Sequence, residues 1–353
     1  MTTAPASDDP SESKHPKPAW PSGESPGDPR PTPIRITNLW RWAHLTWRAE
    51  RRYYRRLERP RGTGRATRLV RSLWPSVERP VFLIGAARSG TTFLGDCVGR
   101  LPEISYHHEP PATKAAGRYA YEGGWGFRRS RWFFRLVYRW LLRVELDGGL
   151  RFTEKTPTNA LLIPFLDRSF KGAQFVHIVR DGRDVATSHV KKPWLLASSR
   201  GSTVREPGGY LHGPYAPWWV EPDRRAEFEA TSDIHRVIWA WRRYVEAALR
   251  DGPALGPGHY LEVRFESLIA NTQHEGERIL DFLGITAVDS RATFHQALGR
   301  AEPGTVGGWR RELSAEDLAT IDADSGDLLR SLRYALDADP TQEIHVSQSP
   351  VGS

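Results

Sequence analysis

Residues 81–94 read VFLIGAARSGTTFL, in which Gly85 and Gly90 have the spacing of a phosphate-holding loop, G-x-x-x-x-G-K-[ST], except that Thr91 occupies the lysine position. Such a loop, set between a buried strand and a helix, points backbone N–H groups at one spot, where the helix dipole also favours an anion. The missing lysine is the group that reaches the β- and γ-phosphates of a nucleoside triphosphate. Arg88 inside the loop supplies a fixed planar cation. The loop is suited to an anion and not to ATP with magnesium. A second apolar run, Gln174–Val179, ends in Arg180, so two strands bring arginine to one sheet edge. Asp181 comes one residue too late for a metal-holding aspartate and stands between Arg180 and Arg183, where a cap or ion pair is more natural. Arginine and backbone amides neutralise the ligand on this reading, and no metal is expected.

The elements that must position these residues alternate. Strands are expected at 81–84, 104–106, 174–179 and 260–265, with helices at 91–100, 129–146, 159–170, 234–250 and 272–283. Alternation of this kind implies a parallel sheet flanked by helices, an α/β fold. Ser314 with Asp317 three residues on caps a last helix. Residues 193–230 show no periodicity and carry Trp194, Tyr210, Tyr215, Trp218 and Trp219, which suits a lid or binding surface. In helix 129–146, Arg131, Arg135, Arg139 and Arg143 form a stripe, read as a solvated face or, more sharply, as a face for an acidic acceptor or lipid.

The composition sets the limits. The chain has 353 residues, 39% of them hydrophobic, and a formal charge of +8, which points to acidic partners. Its single cysteine, Cys97, excludes an internal disulfide and fits a reducing compartment. No apolar run is long enough to span a bilayer, so a cytoplasmic protein is expected, at most leaning on a membrane, with no nucleic-acid partner. Residues 1–34, rich in Pro, Ser, Gly and Asp, read as a disordered tail, 35–75 as a basic Trp/Arg-rich helical segment, 76–337 as the folded domain and 338–353 as a loose tail. The helix of Leu39, Trp40, Trp42, Leu45 and Trp47 reads as packed on the core with its arginines in water; a membrane-interface helix is the alternative.

RSGTTFL, a later glutamate, KTP, VRDGRDVATSH, VRFESL and GTVGGWRREL follow one another in an order that resembles the PAPS-dependent sulfotransferase family. The spacing is closest to the tyrosylprotein sulfotransferases and their bacterial relatives, and the resemblance covers residues 80–330. It implies a P-loop-type, sulfotransferase-like sheet and 3′-phosphoadenosine 5′-phosphosulfate (PAPS) as the donor. The resemblance assigns the 5′-phosphosulfate to Arg88, Ser89, Gly90, Thr91 and Thr92, and the 3′-phosphate to Arg180 and Ser188. Glu109, 21 residues beyond Arg88, matches the catalytic glutamate, and Lys155 the lysine on the leaving group; Phe265 matches an aromatic near the adenine. Gly304, Gly307, Trp309 and Arg310 match a late nucleotide-binding segment whose first two basic positions are Glu302 and Pro303 here, with Arg300 and Lys192 as candidates to compensate.

The implied reaction is sulfonyl transfer to a hydroxyl, with Glu109, Lys155 and Arg88 catalytic and a carbohydrate or glycolipid as the expected acceptor, touched by Trp218 and Trp219. The residues alone leave two other readings open: a P-loop kinase or nucleotide hydrolase, and a non-catalytic nucleotide-binding adaptor at a membrane surface. His107 and His108 read as polar cleft residues, and as substitutes should Glu109 not be the base.

Overall fold

The computed structural model describes residues 30–54, 65–301 and 306–334. Five strands form one all-parallel sheet: β1 (Val81–Ile84), β2 (Ile104–His108), β3 (Arg151–Lys155), β4 (Gln174–Val179) and β5 (Tyr260–Arg264), in the spatial order β2-β3-β1-β4-β5. β1 is central, with Leu83 level with Lys155 on one side and Val176 on the other. Side chains alternate across the sheet, so Phe82 and Ile84 enter one apolar cluster while Val81 and Leu83 enter another. Both faces are covered, which is why β1 and β4 read as unbroken buried runs.

Helices α1 (Leu39–Tyr54) and α2 (Arg65–Leu73) precede the sheet. After β1 comes α3 (Thr91–Val98); α4 (Pro111–Tyr121) and α5 (Gly126–Val144) join β2 to β3; α6 (Ile163–Ser169) precedes β4 and α7 (Gly182–His189) follows it. Next come α8 (Arg225–Ala230) and α9 (Asp233–Asp251) before β5. The chain then runs through α10 (Phe265–Ala270), α11 (Thr272–Leu283), α12 (Val288–Leu298), α13 (Trp309–Glu312) and α14 (Ala315–Ser331). The cap expected on the last helix forms in both directions: Ser314 Oγ accepts from the Asp317 amide and Asp317 accepts from the Ser314 amide, each at 3.1 Å.

Two local expectations change, and one, the packing of α1 on the core, is met. Residues 30–34, placed in the disordered tail by composition, pack onto α4: Thr32 and Ile34 are buried, and Arg118 donates to the Thr32 carbonyl at 2.9 Å. Pro31 and Pro33 favour an extended stretch, in which Thr32 and Ile34, two residues apart, share the inward side. Helix α1 is docked, with Trp42 and Leu45 buried and the Glu50 carboxylate 2.9 Å from His107 Nδ1. It thereby covers β2, an edge strand of the sheet. Trp218 and Trp219 are buried, Trp219 edge-on to Phe228 and Tyr244 at 5.7 and 5.5 Å, so they anchor the 193–230 segment rather than face an acceptor. The tails 1–29 and 335–353, and Gly304, lie outside the described residues.

Candidate active site

Ligands of open parallel sheets bind outside the carboxyl ends of the strands, near the reversal in strand order. Here every strand delivers one site element to that edge. β2 runs into Glu109, β3 ends in Lys155, β1 leads into the 85–90 loop, β4 leads to Arg180, and β5 to Phe265. At about 4.8 Å per strand, Glu109 to Arg180 spans three spacings, roughly 14 Å, which is nucleotide-sized.

The loop is shaped by close approach. A Cβ on Gly85 would stand 2.4 Å from the Ile178 carbonyl oxygen, and one on Gly90 2.4 Å from the Phe265 ring; both residues have positive φ. Arg88, at φ 72°, takes the same left-handed conformation without being glycine. Arg180 holds it there, donating to the Arg88 carbonyl at 3.2 Å while lying 4.6 Å from the Phe265 ring centre. Arg88 Nε donates to Ser188 Oγ at 3.0 Å. The loop arginine and the α7 serine, which the resemblance places at opposite ends of the nucleotide, therefore touch. Ser89 Oγ is buried without a hydrogen-bond partner inside the loop, a hydroxyl that suits an anionic oxygen. Thr91 is buried at the start of α3 and Thr92 exposed beside it.

Asp181 serves as the cap and ion pair expected: it accepts from the Arg183 amide at 2.9 Å and pairs with the Arg183 guanidinium at 2.7 Å. Asp184 accepts from the amides of Gly307 and Trp309 at 2.7 and 3.1 Å, fastening the late segment over α7. Trp309 is then enclosed by two guanidinium groups, Arg183 at 3.8 Å and Arg310 at 4.6 Å from its ring centre. Phe265 is 6% exposed, so it backs the loop and Arg180 more than it offers a free face.

On the other side, the Glu109 amide extends the β2–β3 ladder by donating to the Lys155 carbonyl at 2.9 Å. The chain then turns at φ 46°, and Pro110 and Pro111 start α4. Lys155 Nζ donates to Glu109 Oε1 at 2.5 Å and Lys114 Nζ to Oε2 at 2.8 Å; Lys114 also pairs with Glu206 at 3.0 Å. Burial opposes the charge on Glu109, yet Lys114, Lys155 and His108 hold its carboxyl well below the usual range. Burial pushes the Lys155 ammonium down, with Glu109 pulling it back up. His108 stacks on Tyr53 at 4.4 Å and lies 3.9 Å from Glu109. His107 is elsewhere, buried with Glu50 and Ser105, so only His108 lines the site.

Three contributors were not singled out by the sequence. Lys114 sits on α4, an alanine-rich helix without marked periodicity. Glu206 comes from a small hairpin in which Arg205 bridges Leu211. Glu154 is fully buried and accepts from Thr113, Thr156, Asn159 and Tyr138, which ties α4 to the end of β3. A carboxylate immediately before KTP, inside an otherwise buried strand, was the available signal for the last. Glu302 and Pro303 lie outside the described residues; of the two candidates to compensate them, Arg300 is exposed and Lys192 half-buried.

The sequence model of the sulfotransferase family matches residues 80–289. The chain is 22% identical over 235 residues to a putative protein-tyrosine sulfotransferase of Caenorhabditis briggsae, covering 63% of this chain and 71% of that one. It is 27% identical over 207 residues to carbohydrate sulfotransferase 7 of Mus musculus, covering 51% of this chain but only 43% of the mouse protein. Among solved structures, sulfotransferase STF9 from Mycobacterium avium aligns with a TM-score of 0.45 at 13% identity, over 84% of each chain.

Proposed function

We propose, from the premise that the chain belongs to the sulfotransferase family, that it moves the sulfonyl group of PAPS to a hydroxyl acceptor by in-line transfer. The observation that carries this is the order of strand ends. A carboxylate and an ammonium at β2 and β3 stand beside an anion loop at β1, with a second arginine beyond it at β4. The acceptor oxygen bonds to sulfur, the bond from sulfur to the bridging oxygen breaks, and adenosine 3′,5′-bisphosphate leaves with the electron pair. Glu109 takes the acceptor proton, a role that contributes roughly 10²–10⁴-fold. Lys155, Arg88 and the amides of Ser89 to Thr92 stabilise charge on the sulfonate and the leaving oxygen, where one such donor is worth about 10²–10³-fold. Arg180 and Ser188 hold the 3′-phosphate, and Gly307, Trp309 and Arg310 close over the nucleotide.

Lys155 has to serve both Glu109 and the donor. When it turns to the sulfonate, Glu109 loses one of its two ammonium partners and becomes a stronger base. Proton removal is thereby coupled to the donor's presence. For the acceptor we propose a carbohydrate or glycolipid hydroxyl; the relative named a carbohydrate sulfotransferase supports this. The part-buried Trp194, Tyr210 and Tyr215 of the 193–230 segment are the rings proposed to meet it.

Incubation with sulfur-labelled PAPS and a panel of sugars, glycolipids and tyrosine peptides, with and without a chelator, tests the reading. Label should pass to a hydroxyl acceptor at a rate the chelator leaves unchanged, and Glu109→Gln should lower that rate at least about 10²-fold. Transfer of the γ-phosphate of ATP instead, or a Glu109→Gln variant of near wild-type activity, would overturn it.

A further inference from the structure

A second surface carries apolar groups that neither the fold nor the active site uses. On α2 and just after it, Leu69, Val70, Leu73 and Trp74 are exposed, Trp74 at 90%. On α5, Trp132 is 62% exposed and Leu136 48%. The two helices form one surface: Arg143 donates to the Ser72 and Leu73 carbonyls at 3.2 and 2.7 Å, and the Gly148 amide donates to Ser72 Oγ at 3.1 Å. Helical spacing puts Leu136 and Arg139 on the outward face of α5 with Trp132, and both helix-borne cations and apolar groups there are exposed. Exposed apolar side chains gathered on two helices that are hydrogen-bonded to each other mark an interaction site.

Charge identifies the partner. Arg71, Arg128, Arg129, Arg131, Arg139 and Arg143 are all exposed on or beside this face. The half-buried Arg135 is pushed below its usual pKa by burial and then by Arg139 and Arg131, a sign of crowded positive charge. A second copy of the same face would bring these arginines against each other, which disfavours self-association. The chain's own terminal segments are poor in aromatic groups to cover it: Trp20 is the one Phe, Tyr or Trp in residues 1–29, and 335–353 has none. Residues 55–64, which connect α1 to α2, add Arg55, Arg56, Arg59 and Arg61 to the sequence and only Leu57 as a large apolar residue. Tryptophan and leucine interleaved with arginine suit the headgroup layer of a bilayer, where indole rings settle and arginine meets lipid phosphate.

We propose that the α2–α5 face docks the protein on an anionic lipid surface. This face is distinct from α1, the helix for which a membrane contact was the alternative reading and whose Trp42 and Leu45 pack on the core. Among the described residues no helix is long and apolar enough to cross a membrane, so the attachment is peripheral. The face is separate from Glu109 and the anion loop, and it acts whichever hydroxyl is sulfonated.

Co-sedimentation of the full chain with phosphatidylcholine vesicles, with and without phosphatidylglycerol, tests this. The protein should pellet with the phosphatidylglycerol vesicles, at least about tenfold more tightly than with phosphatidylcholine alone, and salt should release it. Trp74→Ser combined with Trp132→Ser should cut that binding roughly tenfold or more while nucleotide binding by calorimetry stays unchanged. Should that pair fail to bind nucleotide, Arg131→Gln with Arg139→Gln is the deciding variant, again expected to lose binding. No pelleting with anionic vesicles, or undiminished pelleting of the folded variants, overturns the proposal. So does a concentration-dependent dimer that the tryptophan changes abolish.

Discussion

Glu109 lies between two ammonium groups, and that placement sets how it can act. Lys114 and Lys155 keep it ionised, which makes it available at any ordinary pH but weakly basic until one of them moves. The sign for stability follows from the same depression. Its folded-state pKa lies below the unfolded value, so the pairing stabilises the fold above the usual glutamate range and that contribution is lost as pH falls. In the proposed mechanism the carboxyl must be unprotonated, so the acid limb of the kcat profile is expected to mark its pKa in the complex. Lys114→Met removes the partner that does not touch the donor. That limb should move up by about one unit or more, because an opposite charge at this distance is worth about 1–3 units. A lysine that merely braced α4 would lower stability and leave the limb where it was; pH–rate profiles of the two proteins distinguish the cases. Cys97 is the converse, a buried thiol pushed up to about 12 by its burial and so chemically quiet.

At the scale of elements, the anion loop depends on two backbone approaches that side chains would block. Gly90 has φ +90° and the Phe265 ring against it. Gly90→Ala should therefore cost roughly 1–3 kcal/mol and weaken nucleotide binding together, read by thermal unfolding and calorimetry on the same preparation. This loop was legible in the sequence because its glycine spacing, weak alone, is followed by further motifs in a fixed order. Lys155 was legible through its motif, and Arg180 through its place after a buried strand. Lys114 and Glu206 were not. One lies on α4, whose buried face is largely Ala112, Ala115, Ala116 and Gly117 and so shows little apolar contrast. The other lies on a hairpin that only its tertiary contacts define. Trp218 and Trp219 misled for a related reason: aromatic residues in an aperiodic stretch can anchor it as readily as serve a ligand, and here burial decides for anchoring.

Across the whole molecule, one α/β sheet arranges a carboxylate, a lysine, a glycine-bracketed loop and a second arginine along a single edge, the order on which the proposed transfer rests. Alternation of strand and helix made the fold class readable, but the strand order that sets Glu109 two strands from the loop is a tertiary fact with no local signature. The central claim is that this edge holds both ends of adenosine 3′,5′-bisphosphate. Calorimetric titration of that nucleotide against adenosine 5′-phosphate, in the wild type and in Arg180→Ala, tests it most directly. The bisphosphate should bind the wild type at least about tenfold more tightly, since a hydrogen bond to a charged group contributes about 1.5–3 kcal/mol, and Arg180→Ala should erase most of the difference. Equal affinity of the wild type for the two nucleotides would contradict it.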